Sequence, residues 1–190
     1  MKKSAPIKSF TSAAEWRKWL AKNYAKSDGI RLRIYKKDSG KKTVNYAEAL
    51  DEALCYGWID GQKNKYDATS FLQKFTPRRP KSIWSKRNRE HVARLTKTKH
   101  MTPAGQKEVD AAKMDGRWNN AYDAGSTMKI PDDFLRELKK NARALKFFKT
   151  LNRANTYAIA WRLQAAKKPE TRTRRMQALL AMMRQGKKLH

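Results

Sequence analysis

The sequence predicts an α+β fold, with a small mixed sheet and flanking helices in the N-terminal part and an all-helical unit in the C-terminal part. Two observations carry this prediction. Apolar and polar residues alternate in the first half of the chain, as in half-buried strands, whereas the chain beyond Ser85 consists of capped, helix-like stretches separated by Gly, Pro and Asn. A length of 190 residues is enough to bury a proper core.

Two capped helices and one strand define the predicted N-terminal part. Ser12 and Glu15 have the spacing of a capping box, and the helix that follows carries one apolar stripe of Trp16, Trp19, Leu20 and Tyr24. The alternation over residues 30–35 predicts a half-buried strand. A second helix is expected to begin after Asn45 and to end at Gly57 in a left-handed cap.

The remaining elements follow from turn and capping residues. Residues 58–66 and 70–75 are predicted to form a hairpin, which ends at 76–80 because proline donates no hydrogen bond to a sheet. Later helices are expected to begin near Ser85, Thr102, Asp132 or Asp133, Asn141, Asn155 and Pro169. Asn, Gly, Ser and Thr cluster in the stretch 118–130, so we predict an α+β region over 1–125 and a basic helical unit over 126–190.

Positive charge is the most unusual property of the chain. Forty-five Lys and Arg residues against 17 Asp and Glu residues give a formal net charge of +28. Fifteen of the cations, but a single acid, Glu170, lie between residues 139 and 190. Such a field attracts polyanions, so nucleic acid or an anionic membrane surface is the expected class of partner. Plain solubility would explain the same count, and both interpretations stay open.

Several features narrow the class of protein. No stretch approaches the roughly 18–20 apolar residues of a membrane-spanning helix, and the N-terminal segment MKKSAPIKSF lacks the apolar core of a signal peptide. Cys55 is the sole cysteine, which excludes an internal disulfide and a Cys-based zinc cluster. We therefore expect a cytoplasmic protein with no transmembrane segment. The histidines at 91, 100 and 190 share no ligand spacing, and no phosphate loop is present, so neither metal nor cofactor is expected.

Asp60 is the one candidate for a catalytic residue. It lies between Ile59 and Gly61 on or beside a predicted strand, where an acid is unusual in so basic a chain. Such a carboxylate can act as a general base or pair with an arginine. Asp-Gly also forms turns readily, and this second interpretation stays open.

Two basic segments are predicted to bind anions or nucleic acid. The first leads into the helix that begins at Ser85 and combines guanidinium groups, hydroxyls and an aromatic ring for stacking, while the second belongs to the C-terminal helices. The residues expected to make contact are Arg78, Arg79, Lys81, Trp84, Lys86, Arg87, Lys167, Lys168 and Arg174. A solvated basic loop with Trp84 buried in the core would explain the first segment equally well.

Arg172 falls inside the apolar stripe of the last predicted helix, which is formed by Met176, Leu179, Leu180 and Met183. A cation directed at a core needs a carboxylate partner. We predict a structural ion pair between Arg172 and Asp60 that ties the C-terminal helices to the sheet. The alternative partners are Glu170, Glu48 and Asp67.

Six segments form a pattern that extends over nearly the whole chain. They are ALCYGWIDG at 53–61, FTPRRP at 75–80, SIWSKRN at 82–88, MTPAG at 101–105, GRWNNAY at 116–122 and AKKPETRTRR at 166–175. Together they resemble the YdeI/OmpD-associated, or bacteriocin-protection (OmdA), family. The resemblance implies a role in bacterial resistance to bacteriocins or antimicrobial peptides and association with a porin, without implying a reaction or a catalytic residue.

Three functions follow, each from a different class. The resemblance implies a non-enzymatic stress or resistance accessory protein with a protein partner, and this is the function we expect. One alternative is a nucleic-acid-binding protein that uses the basic C-terminal helices without sequence preference. The other is an enzyme that acts on an anionic or phosphorylated small molecule, with Asp60 and Arg78 in its site.

Overall fold

The computed structural model describes residues 5–123 and 127–189 and has the predicted α+β architecture. The chain divides into two compact units, Met1–Asn120 and Ala121–His190. The boundary predicted between residues 125 and 126, and the histidine at 190, lie outside the described residues. Every helix in the described ranges is too short or too polar to cross a lipid bilayer.

The N-terminal unit contains a four-stranded sheet and, in its described residues, four α-helices. The strands are β1 (Ile7–Lys8), β2 (Ile30–Tyr35), β3 (Trp58–Lys65) and β4 (Ser70–Pro77), and the helices are α1 (Ala13–Asn23), α2 (Tyr46–Cys55), α3 (Lys86–Lys97) and α4 (Pro103–Met114). The strand order is β1-β2-β4-β3, in which β1 pairs with β2 in parallel and the other pairs are antiparallel. The predicted hairpin is thus confirmed, whereas β1 was not predicted.

The helices of this unit begin at the predicted capping residues. Asn45 and Glu48 form both hydrogen bonds of a capping box, each 3.0 Å long. At α1, the Ser12 hydroxyl accepts from the backbone N–H of Glu15 at 3.3 Å, but the Glu15 carboxylate accepts from the N–H of Thr11, at 2.8 Å, rather than from that of Ser12. Two backbone donors are satisfied in either case, so α1 begins where its sequence predicts.

A group of aromatic rings forms the centre of the N-terminal core. Trp16 and Phe75 are fully buried and Trp58 is nearly so; the centroid of the Trp16 ring lies 6.2 Å from that of Trp58 and 5.8 Å from that of Phe75. Trp16 Nε1 also donates to the carbonyl of Ala49 in α2, at 3.0 Å. The apolar residues of β2 are buried on the same side, which leaves its alternate residues for the opposite face of the sheet.

Helix α4 approaches the end of α2 closely. A Cβ atom at Gly105 would collide with the backbone carbonyl of Cys55, so only glycine fits at this contact. The Thr102 hydroxyl donates to that carbonyl at 2.5 Å. Cys55 is fully buried, as its position between apolar residues predicts.

The C-terminal unit is helical. Its described helices are α5 (Asp132–Lys139), α6 (Ala142–Phe148), α7 (Arg153–Gln164) and α8 (Pro169–Arg184), and their core consists of Phe134, Leu138, Ala144, Ile159, Leu163, Leu179, Leu180 and Met183. Helix α7 begins one turn before the predicted Asn155, because the Asn152 side chain caps it by accepting from the N–H of Asn155 at 3.0 Å. Asn155 is buried instead, and its Oδ1 accepts from the N–H of Leu189 at 2.9 Å.

Candidate functional site

The first predicted anion-binding segment connects β4 to α3, and its centre is buried. Arg78 and Trp84 are only 6% and 1% exposed. The guanidinium carbon of Arg78 lies 3.4 Å from the centroid of the Trp84 ring, and Arg78 Nη1 donates to the carbonyl of Ile83 at 3.4 Å. Trp84 therefore packs inside the unit and offers no ring face to a base, which corrects the expectation that it stacks on nucleic acid.

A second arginine and a second tryptophan complete this buried group. The Trp118 ring packs edge-on against Trp84 at 5.0 Å between centroids. Arg117 is 6% exposed; it donates to the carbonyl of Ser82 at 2.8 Å and forms an ion pair with Asp115 at 2.6 Å. Arg117 was not predicted as a site residue; the acid two residues earlier, Asp115, is its local signal in the sequence.

Four predicted anion-binding residues of this segment are exposed: Arg79, Lys81, Lys86 and Arg87. Lys81 has a left-handed φ of 63°, at a turn closed by the N–H of Ser82 and the carbonyl of Arg79 at 3.0 Å. This conformation costs a non-glycine residue about 1–2 kcal/mol. The segment thus separates a buried scaffold from a rim of cations that phosphate groups can reach.

The second predicted surface, on the C-terminal helices, is exposed throughout. Its three predicted residues are Lys167, Lys168 and Arg174. Of the fifteen cations between residues 139 and 190, all are exposed except Arg172 and Arg175, which are partly buried. Within the described part of the chain, ion pairs engage two of the fifteen, Lys140 and Arg172. Most of the cations between residues 139 and 190 are therefore exposed and lie outside the ion pairs of the described residues.

Arg172 pairs with Asp133 in place of the predicted Asp60. Its two terminal nitrogens donate to the two oxygens of the Asp133 carboxylate at 2.5 and 3.0 Å, and this hydrogen bonding lowers the pKa of Asp133. The Arg172 side chain is 34% exposed, so it lies at the edge of the apolar stripe rather than inside it. The ion pair joins the first turns of α5 and α8. The carboxylate of Asp60 accepts from the Tyr46 hydroxyl at 2.8 Å.

The alternative partners considered for Arg172 have other surroundings. Glu48 belongs to the capping box of α2, and Glu170 is exposed in the first turn of α8. Asp67 pairs with Arg33 at 2.6 Å and accepts from the Ser70 hydroxyl, a bond that is the main cause of lowering the pKa of Asp67 to about 2.

The coupling between Arg172 and Asp133 is testable with a double-mutant cycle. We expect Arg172→Ala and Asp133→Asn to share about 1 kcal/mol of coupling in the free energy of unfolding, since each side chain is about one-third exposed and water screens the pair. Urea denaturation followed by circular dichroism measures it. Arg174→Ala, at an exposed position of the same helix, is the matched control and should be additive with Asp133→Asn. Strict additivity for the Arg172 cycle would remove the structural role of this pair.

Asp60 is not among the residues that line the cleft beside Arg78. Arg78 contributes to a cleft of about 350 Å³ whose lining also includes Tyr56 and Lys107, but not Asp60. Asp60 instead precedes an irregularity in the pairing of β3 with β4 and is half-buried against Tyr46. This cleft therefore does not bring Asp60 and Arg78 together around one small substrate.

One group of side chains of the types that bind metal ions was not predicted from the sequence. It consists of Glu52, Cys55 and His100. One ligand atom from each lies within 4.8 Å of the others. Arg17 Nη1 occupies the group, 2.7 Å from the Glu52 carboxylate and 2.9 Å from His100 Nε2. Burial, followed by the nearby charge of Glu52, raises the pKa of the Cys55 thiol to about 11. A metal ion would have to displace the guanidinium and deprotonate this thiol, and the expectation of no metal site stays a prediction.

A cleft of about 250 Å³ next to this group is lined by carboxylates. Glu48, Asp51 and Glu52 line it together with Arg94 and His100. Asp51 receives a hydrogen bond from Arg94 at 2.6 Å. The acids of this cleft are thus balanced by basic side chains, and the cleft forms no strongly anionic site.

Comparison with family models gives two matches. Residues 8–108 match a family described as a domain of unknown function, DUF8412, and residues 127–186 match the family described as Bacteriocin-protection, YdeI or OmpD-Associated (OmdA). Comparison with curated proteins and with solved structures found no match. The second match supports the suspected family over residues 127–186, which contain the segment 166–175, whereas the segments at 53–61, 75–80, 82–88 and 101–105 fall inside the first match. The chain therefore belongs to the DUF8412 family, whose model matches residues 8–108, and its residues 127–186 are similar to the bacteriocin-protection, YdeI or OmpD-associated family.

Proposed function

We propose that this protein is a non-enzymatic accessory protein that binds nucleic acid through exposed cations and without sequence preference. The supporting observation is the surface of the C-terminal unit. Fifteen cations and one acid lie between residues 139 and 190, and all of these cations except Arg172 and Arg175 are exposed. Exposed Lys and Arg side chains displace the counterions condensed on phosphates, and this release drives binding.

The family relation supports an accessory role and leaves its physical means to be identified. The match to the bacteriocin-protection family covers residues 127–186, the helices that carry most of these cations. A role in resistance or stress is consistent with this match, and binding of a polyanion would be its physical basis. Direct sequestration of cationic peptides is disfavoured, because a chain of net charge +28 repels them.

Nucleic acid fits this surface better than a lipid membrane does. Interfacial membrane helices combine a basic face with large exposed apolar side chains. The large apolar side chains that are exposed in the described part of the chain all belong to the N-terminal unit: Ile7, Tyr24, Tyr66 and Met114. The C-terminal helices thus present charge without an apolar anchor.

An enzymatic function has less support. Asp60 is engaged by the Tyr46 hydroxyl, and Arg78 is stacked on Trp84. The Cys55 thiol is buried and its pKa is raised to about 11, whereas an activated nucleophilic thiol is accessible and has a lowered pKa.

Charge reversal tests the proposal. The triple variant Lys167→Glu, Lys168→Glu, Arg174→Glu should bind a labelled DNA duplex at least about tenfold more weakly, and the slope of log affinity against log salt should become shallower by about one for each phosphate that the variant no longer binds. Fluorescence anisotropy measures both quantities. The matched control reverses three exposed lysines of the N-terminal unit, Lys18 and Lys22 in α1 and Lys26 just after it, and so has the same net charge.

Three outcomes would contradict the proposal. The wild-type chain could fail to bind duplex at low salt, or the control triple could weaken binding as much as the test triple does. The chain could also bind anionic phospholipid vesicles and not nucleic acid, which would favour the membrane surface as partner.

A further inference from the structure

The face of the sheet that points away from the aromatic core carries cations and tyrosine rings. The register of β2, β4 and β3 places them in rows across the strands: Arg31 beside Lys74, then Arg33 beside Leu72 and Asn64, then Tyr35 beside Ser70. Tyr66 follows β3 in the last row, where its N–H donates to the carbonyl of Ser70 at 3.3 Å. We call this surface the outer sheet face and define it by Arg31, Arg33, Tyr35, Tyr66 and Lys74.

Arg33 forms a fixed stack with the two tyrosines of this face. Its guanidinium carbon lies 4.5 Å from the centroid of the Tyr35 ring and 4.9 Å from that of Tyr66. Asp67 and Ser70 hold the guanidinium through bonds of 2.6 and 3.0 Å. Tyr66 is nevertheless 47% exposed. A planar ligand could therefore stack on a ring that is already ordered, which reduces the entropic cost of binding.

Exposed lysines add to the charge of this face. Lys74 lies farther along β4, and the ammonium of Lys41 lies 5.1 Å from the centroid of the Tyr35 ring. Lys63 and Lys65 pair with Gln73 and Phe71 and therefore belong to the opposite face of the sheet. Successive rows of one strand are about 7 Å apart, on the scale of one nucleotide of an extended strand. Asp67, the acid at this end of the sheet, is already paired with Arg33. The charge of the outer sheet face is thus complementary to a phosphate backbone.

We infer that the outer sheet face binds single-stranded nucleic acid, with an unpaired base stacked on Tyr66 and phosphates beside Lys41 and Lys74. Aromatic rings beside a cationic track are the combination that binds single strands without sequence preference. A duplex keeps its base faces inside its own stack, so Tyr66 adds little to duplex binding. The inference rests on the proposed nucleic-acid-binding function and names the form of ligand that this site takes.

The experiment compares Tyr66→Ala with the wild-type chain on two labelled ligands at the same salt concentration, an oligothymidine of about twelve nucleotides and a DNA duplex. Removal of one stacking platform should weaken oligothymidine binding by about tenfold and change duplex affinity by less than about twofold. Tyr66→Leu, which keeps apolar bulk without an aromatic face, should resemble Tyr66→Ala and provides a second variant if the alanine variant does not fold. Tyr24→Ala removes a comparably exposed tyrosine, at the end of α1, and should leave both affinities unchanged.

The outcomes separate this inference from the proposed function. A wild-type chain that binds neither ligand would overturn both. If the wild-type chain binds both ligands, two results for the Tyr66 variants would overturn the outer sheet face as a single-strand site: normal binding of oligothymidine, or equally weakened binding of both ligands. Either result would leave the proposed function standing.

Discussion

Raising the salt concentration from about 50 to about 200 mM should weaken binding of the protein to a DNA duplex of arbitrary sequence by about a thousandfold. The exposed cations of the C-terminal unit are distributed over four helices, so only part of them can face one duplex at a time. The slope of log affinity against log salt is about −0.9 for each phosphate neutralised. About six phosphates therefore give a slope of about −5, which corresponds to the thousandfold weakening. Anisotropy titrations at several salt concentrations give the slope.

Two controls complete this experiment. A second duplex of unrelated sequence should bind within about twofold of the first, because contacts to phosphate carry no sequence information. An uncharged solute at matched osmolality should leave the affinity unchanged. Binding that is insensitive to salt, or that differs strongly between the two duplexes, would show that base contacts rather than phosphate contacts dominate.

Trp16→Ala should destabilise the N-terminal unit by about 3–5 kcal/mol, the usual cost of removing a large aromatic side chain from a core. Trp16 is fully buried, contacts the rings of Trp58 and Phe75, and donates from its indole to the carbonyl of Ala49. Its removal leaves a cavity between α1, α2 and the sheet. Urea denaturation followed by far-UV circular dichroism measures the change in the free energy of unfolding.

Two further variants divide this destabilisation into its parts. Trp16→Phe keeps most of the packing but removes the indole hydrogen bond, so we expect a smaller cost of about 1–2 kcal/mol. Met114→Ala removes a side chain that is 88% exposed and should change the free energy of unfolding by less than about 0.5 kcal/mol. A Trp16→Ala variant as stable as Met114→Ala would contradict the position of Trp16 at the centre of the core.

Elements fixed by neighbouring residues could be predicted from the sequence. The Asn45–Glu48 capping box and the alternation of β2 depend on contacts within a few residues, and both are confirmed. Helix α4 begins after Thr102 with proline at its first position for the same reason. Strand β1 has two residues and obtains its order from pairing with β2, so it left no periodic signal.

The candidate sites depend on contacts between distant residues, and there the sequence was less informative. Helical periodicity correctly placed Arg172 beside an apolar stripe, but its partner depends on which carboxylate α5 brings to that position. Glu52 and His100 are 48 residues apart, and Arg17 meets both from a third element. In the segment after β4, the same residues fitted a base-stacking Trp84 and a buried one, and its burial between Arg78 and Trp118 distinguishes the two.

The burial of Cys55 gives the N-terminal unit a built-in probe of its own opening. The thiol is fully covered where α2 meets α4, it is the sole cysteine of the chain, and its raised pKa keeps it protonated at neutral pH. A thiol-specific label can react only when this contact opens, so the ratio of the labelling rate to that of the unfolded chain measures the opening equilibrium under native conditions. The same measurement, made with and without bound nucleic acid, would report whether the ligand tightens this part of the fold.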